Sequence, residues 1–509
     1  MQRYILIPIL SFSASVCIAQ TPDDAIRQSF QIPQGTARNM AIGGAMGSLG
    51  GDITAAHVNP AGLGFYKTGE FVLSPGFNFI NNKFGFRGTN LNDKTDNFTY
   101  GTSGLVIGWG DRWNKKKSSA FSLSINQTAN FNNYVHYKGL NNVSSFTEQY
   151  LEQLIRDKAS EASADKDYIF GSTLAYGTYL VNPEFSNGQL IGYQSAVPIS
   201  KGVTQENTLD TRGGIHEIAL GFASNNADKL YFGGSLNIPI YNYKRTQDYS
   251  ETSVSTSTTD SFASFKYSEN FESRGVGINV KLGLIYKPVE KIRLGIAVHT
   301  PTFANMEDKI RSSITTNTEG YRGIKTMTSD ERNSGNPGIS NYTMITPWKA
   351  IASGSFVFNE VKDVRRQKAF ITVDAEYVPH QGTQYEIAEG GTDADKTYYK
   401  GVNNAIDQRY RGVFNFRAGG EVKFTTIMAR AGFAYYSNPY KDNETLKNDR
   451  MLLSGGLGYR NKGIFVDLTY VHSMMKDTHV PYYLADRPNT FAEGKNIKGN
   501  VMLTFGAKF

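Results

Sequence analysis

From Gly69 to the end of the chain, apolar and polar positions alternate with a period of two through one long stretch after another. In "KIRLGIAVHT", Ile292, Leu294, Ile296 and Val298 share one face, and Arg293, Gly295, Ala297 and His299 the other. "AFITVDAEYV" sets Ile371, Val373, Ala375 and Tyr377 against Thr372, Asp374 and Glu376. "VFNFRAGGEVKF" and "GIFVDLTYV" repeat the pattern, with Arg417, Glu421, Lys423 and Asp467 on the polar side. Alternation of this kind predicts β-strands with one face in an apolar medium. Strands are placed near 69–83, 100–110, 118–138, 214–224, 230–247, 266–288 and 291–302. Seven more fall near 341–359, 367–381, 408–424, 426–438, 451–460, 463–475 and 495–509.

A strand in a soluble sandwich runs about five or six residues. These run about ten or more, the length a tilted strand needs to cross a bilayer. Their connections alternate as well. "NNADK", "PVE", "FTT" and "NKG" are tight turns, "DRWNKKK" and "NEVKDVRRQ" slightly longer ones. Between them lie long polar loops near 139–213, 248–265, 303–340, 382–407, 439–450 and 476–494. Short turns at one end, long loops at the other and an even strand number define an outer-membrane barrel. The final segment, "NVMLTFGAKF", has Val501, Leu503, Phe505, Ala507 and Phe509 on one face and suits a closing strand. The expected fold is all-β, a transmembrane antiparallel β-barrel of about fourteen strands.

Three places depart from plain alternation. The third strand begins with Phe121, Leu123 and Ile125 on one face and then loses its pattern at Gln127, Thr128, Ala129 and Asn130, where a kink is expected. An ordinary bulge, or the strand leaving the bilayer, would give the same break. Pro239 lacks an N–H and must sit at a gap in its ladder. "SSFTEQYLEQLIRDKASEA" shows helical spacing, with Ser144 or Ser145 as candidate N-cap; it reads as a lid packed on its own loop or as an apolar face for a hydrophobic substrate.

Ahead of the strands, "GGDITAAHVNPAGLGFY" has no alternation at all. A barrel of about fourteen strands encloses more space than its side chains fill. Residues 20–68 are rich in Gly and Ala, which permit close backbone packing, and Asn59-Pro60-Ala61-Gly62 forms a stiff turn. An N-terminal plug inside the lumen is the expected role, followed by the barrel over 69–509. Before it, Arg3, the apolar run from Tyr4 and the small residue Ala19 predict a signal peptide over 1–19. The single cysteine, Cys17, would leave with that peptide, or would carry lipid if the segment belonged to a lipoprotein.

Composition changes the picture little. With 509 residues the chain exceeds what one solid core usually supports, and no run in the body of the chain approaches the ~20 apolar residues of a membrane helix. A net charge of +7 is mild, and the clusters Lys115–Lys117 and Arg365-Arg366 fall in turns without interleaved aromatics, against nucleic-acid binding. Inward charges at Lys281, Arg293, Asp374, Glu376, Arg417, Glu421, Lys423 and Asp467 are expected to pair with one another or with the plug, since a charge facing lipid costs ~2–4 kcal/mol at the midplane. Arg293 and Arg417 are the candidates to hold the acid group of a ligand. No catalytic motif, metal set or cofactor motif is present; His472 and His479 leave haem as a weak alternative.

"GTARNMAIGGAMGSLGGDITAAHVNPAGLGFYKTGEF" resembles the N-terminal hatch of the FadL/TodX family of outer-membrane transporters for hydrophobic compounds. Asp52, Asn59, Pro60 and Ala61 match its acidic residue and Asn-Pro-Ala signature. "NADKLYFGGSLNIPIYNYKR", "GVGINVKLGLIYKPVEKIRLGIAVHTPTF" and "RAGFAYYSNPY" also look like its strands, especially in versions from Bacteroidetes-like bacteria. The resemblance implies uptake of long-chain fatty acids or other small hydrophobic compounds in the outer membrane of a Gram-negative cell. It also implies lateral release into lipid beside a kinked third strand, and no enzymatic activity. The rival expectations are an accessory barrel subunit bound to a protein partner in a secretion or assembly complex, and a hemin receptor.

Overall fold

The structure is a computed structural model that describes residues 22–111, 116–255, 261–358, 368–388, 390–442 and 446–509. The alternating segments form fourteen barrel strands. The first four are β1 (Glu70–Leu73, continuing as Pro75–Phe86), β2 (Thr89–Tyr100 and Ser103–Gly110), β3 (Ser118–Asn130 and Asn133–Asn141) and β4 (Val203–Asn226). Next come β5 (Leu230–Ser253), β6 (Ser264–Val289), β7 (Ile292–His299 and Phe303–Asn317), β8 (Gly338–Ile345 and Lys349–Phe358) and β9 (Ala369–Pro379 and Gln384–Ile387). The last five are β10 (Gly412–Phe424), β11 (Ile427–Tyr436), β12 (Arg450–Asn461), β13 (Ile464–His479) and β14 (Ala492–Lys508).

Each strand pairs antiparallel with its sequence neighbours, and β14 returns to β1 through pairs such as Leu73↔Phe505 and Phe77↔Val501. The sheet therefore closes, leaving no unpaired strand at either side to be exposed in lipid. Pro239 faces Glu217 within the β4–β5 ladder, but the β5–β6 ladder skips from Asn237↔Asn279 to Ile240↔Val276. The missing proline N–H thus falls in a gap.

The outward faces locate the membrane. On β6, Val276, Ile278, Val280, Leu282 and Leu284 all point out and are exposed, whereas the next outward residues are Arg274, Glu272 and Asn270. On β5 the switch comes between Ile240 and Asn242. Trp109, Trp348, Tyr286 and Tyr459 also lie on the outer surface. An apolar belt about ten residues high, wrapped around a closed sheet, is what a bilayer requires. No described helix is long and apolar enough to cross a membrane.

Above the belt the wall is uneven. Strands β4, β5 and β6 have 24, 24 and 26 residues, against 10 and 12 in β11 and β12. This corrects several expected boundaries. β2 begins at Thr89 rather than near 100, β4 at Val203 rather than 214, and β7 runs to Asn317 through half of the expected 303–340 loop. β14 begins at Ala492, inside the expected 476–494 loop. The outward faces of these extensions meet water rather than lipid, so a stretch such as "TNLNDKTDNFTY" carries no apolar alternation, although the inner face of β7 still buries Ala304, Met306, Ile310 and Ile314.

The plug supplies three short helices, α1 (Pro22–Ser29), α2 (Ala37–Ala41) and α3 (Ala55–Val58), and a 3₁₀ turn over Pro60–Phe65. Over the mouth, α4 (Glu148–Arg156), α5 (Glu161–Lys166), α6 (Ser172–Gly177) and the hairpin Val181–Ser186/Gln189–Ser195 form a lid on the tall side. Phe146, Tyr150 and Leu154 bury one face of α4 against Tyr249, Phe265 and Tyr267 of the wall, while Ile155 is exposed. Thr147, rather than Ser144 or Ser145, holds the N-cap position but makes no side-chain cap bond; Ser145 Oγ, while donating to Glu251, accepts the Thr147 N–H at 3.2 Å. Two further helices, α7 (Ser329–Arg332) and α8 (Asp393–Arg409), replace parts of the expected 303–340 and 382–407 loops. The signal peptide, the turn "NEVKDVRRQ" and most of "DRWNKKK" lie outside the described residues.

Candidate functional site

The lumen is filled on one side by the plug and left hollow on the other. Asn59 fixes the plug to the wall. Its amide nitrogen donates to the Gly47 carbonyl at 2.6 Å and lies 3.4 Å from the Leu284 and Ile296 carbonyls, while its oxygen accepts the Ala61 N–H at 3.1 Å. Pro60 opens the 3₁₀ turn, where its lack of an N–H costs nothing. Gly62 N–H donates to the Asn59 carbonyl and its own carbonyl accepts from Gly51. Asp52 joins the two ends of the plug segment, accepting from Thr36 Oγ1 at 2.8 Å and from Thr54 N–H at 2.9 Å.

Such close approach needs glycine on the wall as well as in the plug. A Cβ on inward-facing Gly283 would collide with Asn59 Oδ1. Gly43 has φ +68°, and a Cβ there would sit 2.6 Å from the Phe433 carbonyl oxygen. The plug glycines were legible in the sequence; their counterparts on the wall look like ordinary strand glycines until the plug is in place.

Inward charges pair as expected. Arg417 binds Glu376 at 3.1 Å, Arg430 bridges Glu421 and Asp467 at 2.6 Å each, and Arg38 of the plug reaches Glu421 at 3.5 Å. Asp374 accepts from the plug N–H of Gly47 at 3.1 Å. Arg293 donates to the Leu49 carbonyl at 2.7 Å and lies 4.9 Å from the Phe65 ring. Neither Arg293 nor Arg417 lines the main cavity; both engage plug or wall groups instead.

A row not foreseen from sequence ties the plug to β3. His57 Nδ1 lies 2.8 Å from Glu217 Oε1, and its Nε2 lies 3.0 Å from Ser124 Oγ. Lys281 also donates to Glu217. The order Ser–His–Glu resembles a hydrolytic triad, but the Ser124 hydroxyl is buried against the plug, so the row acts as a fastening. Its members come from three strands and the plug, too scattered for any spacing rule to find.

Two residues further along β3 the wall opens. The β2–β3 ladder runs from Gly110↔Ser118 only as far as Ser103↔Ile125. Beyond it, the outer half of β2 pairs only with β1 and the outer half of β3 only with β4. Between Gln127 and Ala129 the pairing of β3 with β4 slips, leaving Thr128 unmatched, and the strand stops at Asn130 before resuming at Asn133. Side chains span the unpaired stretch: Asn130 donates to Asn97 at 3.2 Å and Thr99 donates to Gln127 Oε1. The plug touches this segment directly, Gln34 N–H donating to the Gln127 carbonyl and Asn126 Nδ2 to the Gln34 carbonyl, both at 2.9 Å. Phe77 and Phe98, paired on β1 and β2, place the gap at the outer edge of the apolar belt.

Against the gap lies a cavity of about 510 Å³. Its floor is plug, with Phe30, Ile32 and Met40; one wall is Ala129 to Asn133 of β3. Tyr243, Leu452 and Val471 extend the apolar surface. Arg409, Arg450 and Lys498, with Asp477, also line it, and the Arg450 guanidinium lies 4.6 Å from the Phe30 ring. His479 donates to or accepts from Tyr137 at 2.9 Å, and His472 points to Tyr470.

These features define a transmembrane β-barrel of the outer-membrane type, closed by fourteen strands and corked by its own N-terminal segment. More particularly, the chain has the fold of the FadL and TodX channels. A Pseudomonas aeruginosa FadL homologue aligns over 94% of this chain and 99% of its own at a TM-score of 0.56. The Pseudomonas putida toluene transporter TodX aligns over 94% and 99% at 0.51, and a deltaS2S3 mutant of the TodX monoaromatic hydrocarbon channel over 94% and 100% at 0.52. Sequence identity is 12% in all three. No protein-family model and no curated protein sequence matches the chain.

Proposed function

We propose that this barrel takes up small hydrophobic compounds, long-chain fatty acids foremost, and releases them sideways into the membrane through the β2–β3 gap. One observation carries the reading: the lumenal cavity is bounded by the plug on one side and by the broken segment of β3 on another. A guest there lies one layer of side chains from lipid, so it need not return its apolar area to water at ~25 cal/mol per Å². Binding that displaces Phe30 or Met40 would also pull on β3 through Gln34. TodX, which shares this fold, is a toluene transporter and monoaromatic hydrocarbon channel, which supports the same reading.

An acid headgroup would meet three cations on the cavity lining, Arg409, Arg450 and Lys498. The test is uptake of labelled oleate and labelled toluene by cells that lack other such channels and express this chain. Both should enter. Arg450→Ala should weaken oleate uptake about tenfold, the worth of one charge-assisted hydrogen bond, and leave toluene unchanged. Entry no faster than in cells without the protein defeats the proposal.

A further inference from the structure

The lid carries a second cavity, of about 760 Å³, that shares no lining residue with the lumenal one. It opens between α6, the lid hairpin and the turn 318–323 that follows β7. Three tyrosines, Tyr176, Tyr179 and Tyr321, line it. Tyr179 has φ +60°, a left-handed conformation rare for a bulky residue. Its carbonyl accepts from Asn182 Nδ2 at 3.0 Å and its N–H donates to Tyr176 O at 3.1 Å, which holds the ring at the cavity. Tyr321 meets it edge-on at 6.2 Å, with the Arg322 guanidinium over both rings.

Between these rings the lining is mixed, with Pro183, Ala196 and Met327 beside polar groups. Asn182 and Gln194 present amides, and Arg332 and Asp165 form a two-point ion pair at 2.8 and 3.4 Å. An apolar guest would strip water from the amides and the ion pair and return no hydrogen bond, which disfavours it. A simple anion would find the Arg332 charge already matched by Asp165. A sugar ring meets both demands. Its C–H face lies on an aromatic ring, and its hydroxyls, each donor and acceptor, satisfy amide, carboxylate and guanidinium together.

We infer that this crevice is a saccharide-binding site on the outer surface, sized for a short hexopyranose chain. The inference stands apart from the lumenal transport reading and needs none of its residues. The sugar could belong to a free glycan or to the lipopolysaccharide of the surrounding membrane, and separate arms of one experiment distinguish them. The full-length barrel is purified in a detergent without a sugar head, because maltoside detergents would occupy the crevice. Saturation-transfer NMR then screens maltotriose, cellotriose, xylotriose and chitotriose in one arm, and oligosaccharide released from lipopolysaccharide in the other.

Saturable binding in either arm is expected, weakened about tenfold by Tyr179→Ala through loss of the stacking face. Gln194→Ala, at an exposed position, should weaken it without disturbing the lid. Oleate uptake should be unchanged in both variants. Failure of every sugar to bind at about 10 mM, or binding that survives both substitutions, overturns the inference. So does a fluorescent apolar probe that occupies the crevice and is lost with Tyr179→Ala.

Discussion

The amide of Asn59 serves the plug and the wall at once, donating to Gly47 and lying against two wall carbonyls that face each other across β6 and β7. Replacing it by alanine leaves the buried Ala61 N–H without its acceptor, worth about 1–3 kcal/mol. Asn59→Ala should therefore loosen the plug without unfolding the barrel. Faster amide exchange over 42–65 with unchanged exchange in the strands would show it. A second residue, Glu251, lies above the belt, fully buried beneath the lid. It accepts from Ser145 Oγ, Phe146 N–H, Gln205 Nε2 and Tyr249 Oη. Burial outweighs these donors and lifts its carboxyl to about 7. Because the folded value exceeds that of a free carboxyl, the closed lid is most stable at low pH. That stability declines as pH rises from about 4.5 to about 7, by about 3 kcal/mol, and is level beyond. Protease cleavage of the lid should increase over that window, and Glu251→Gln should flatten the profile. An unchanged pH profile in Glu251→Gln would remove the carboxyl from this role.

Among the elements, β3 decides whether the wall can part. Its inner half is ordinary lipid-facing strand; its outer half shares a backbone ladder with β4 only and meets β1 and β2 through side chains, Asn82 Nδ2 donating to Asn133 Oδ1 at 2.7 Å and His136 lying 3.5 Å from Asp93. Replacing both Asn97 and Asn130 by cysteine and bridging them with a short bifunctional thiol reagent should close the gap. Uptake should fall about tenfold relative to the unbridged double variant, if sideways exit is the main route. Undiminished uptake would mean that the guest leaves by another path. The sequence showed where β3 loses its alternation, because a strand packed on lipid must alternate and Gln127-Thr128-Ala129-Asn130 does not. It could not show that β2 parts from β3 at that level, since ladders belong to pairs of strands. The same physics made the belt easy to read and the collar hard. Within lipid each outward residue is constrained to be apolar; above it, Thr204 through Arg212 or Asn242 through Thr252 face water and carry no such mark. The His57–Glu217–Ser124 fastening was invisible because its parts are 67 and 160 residues from His57.

At the scale of the whole molecule, the cylinder and its cork have different reasons to be stable. Hydrogen-bonded closure in lipid holds the strands, whereas the plug rests on polar fastenings and close backbone contact. Deleting residues 22–66 should thus leave a folded barrel, still heat-modifiable on gels, with a water-filled lumen. In planar bilayers the intact chain should conduct little and the deletion should give stable open steps; equal conductance would mean that the segment does not block the bore.

Phe509, just beyond β14, exchanges two backbone hydrogen bonds with Gly69, at the point where the plug hands over to β1. The seam between the first and last staves is therefore also the doorway beside the cork. Until β14 pairs with β1 that doorway stands ajar; once it is sewn shut, a cork left outside has no easy way in. Loading the stopper is thus a step of biogenesis, settled before the cylinder seals.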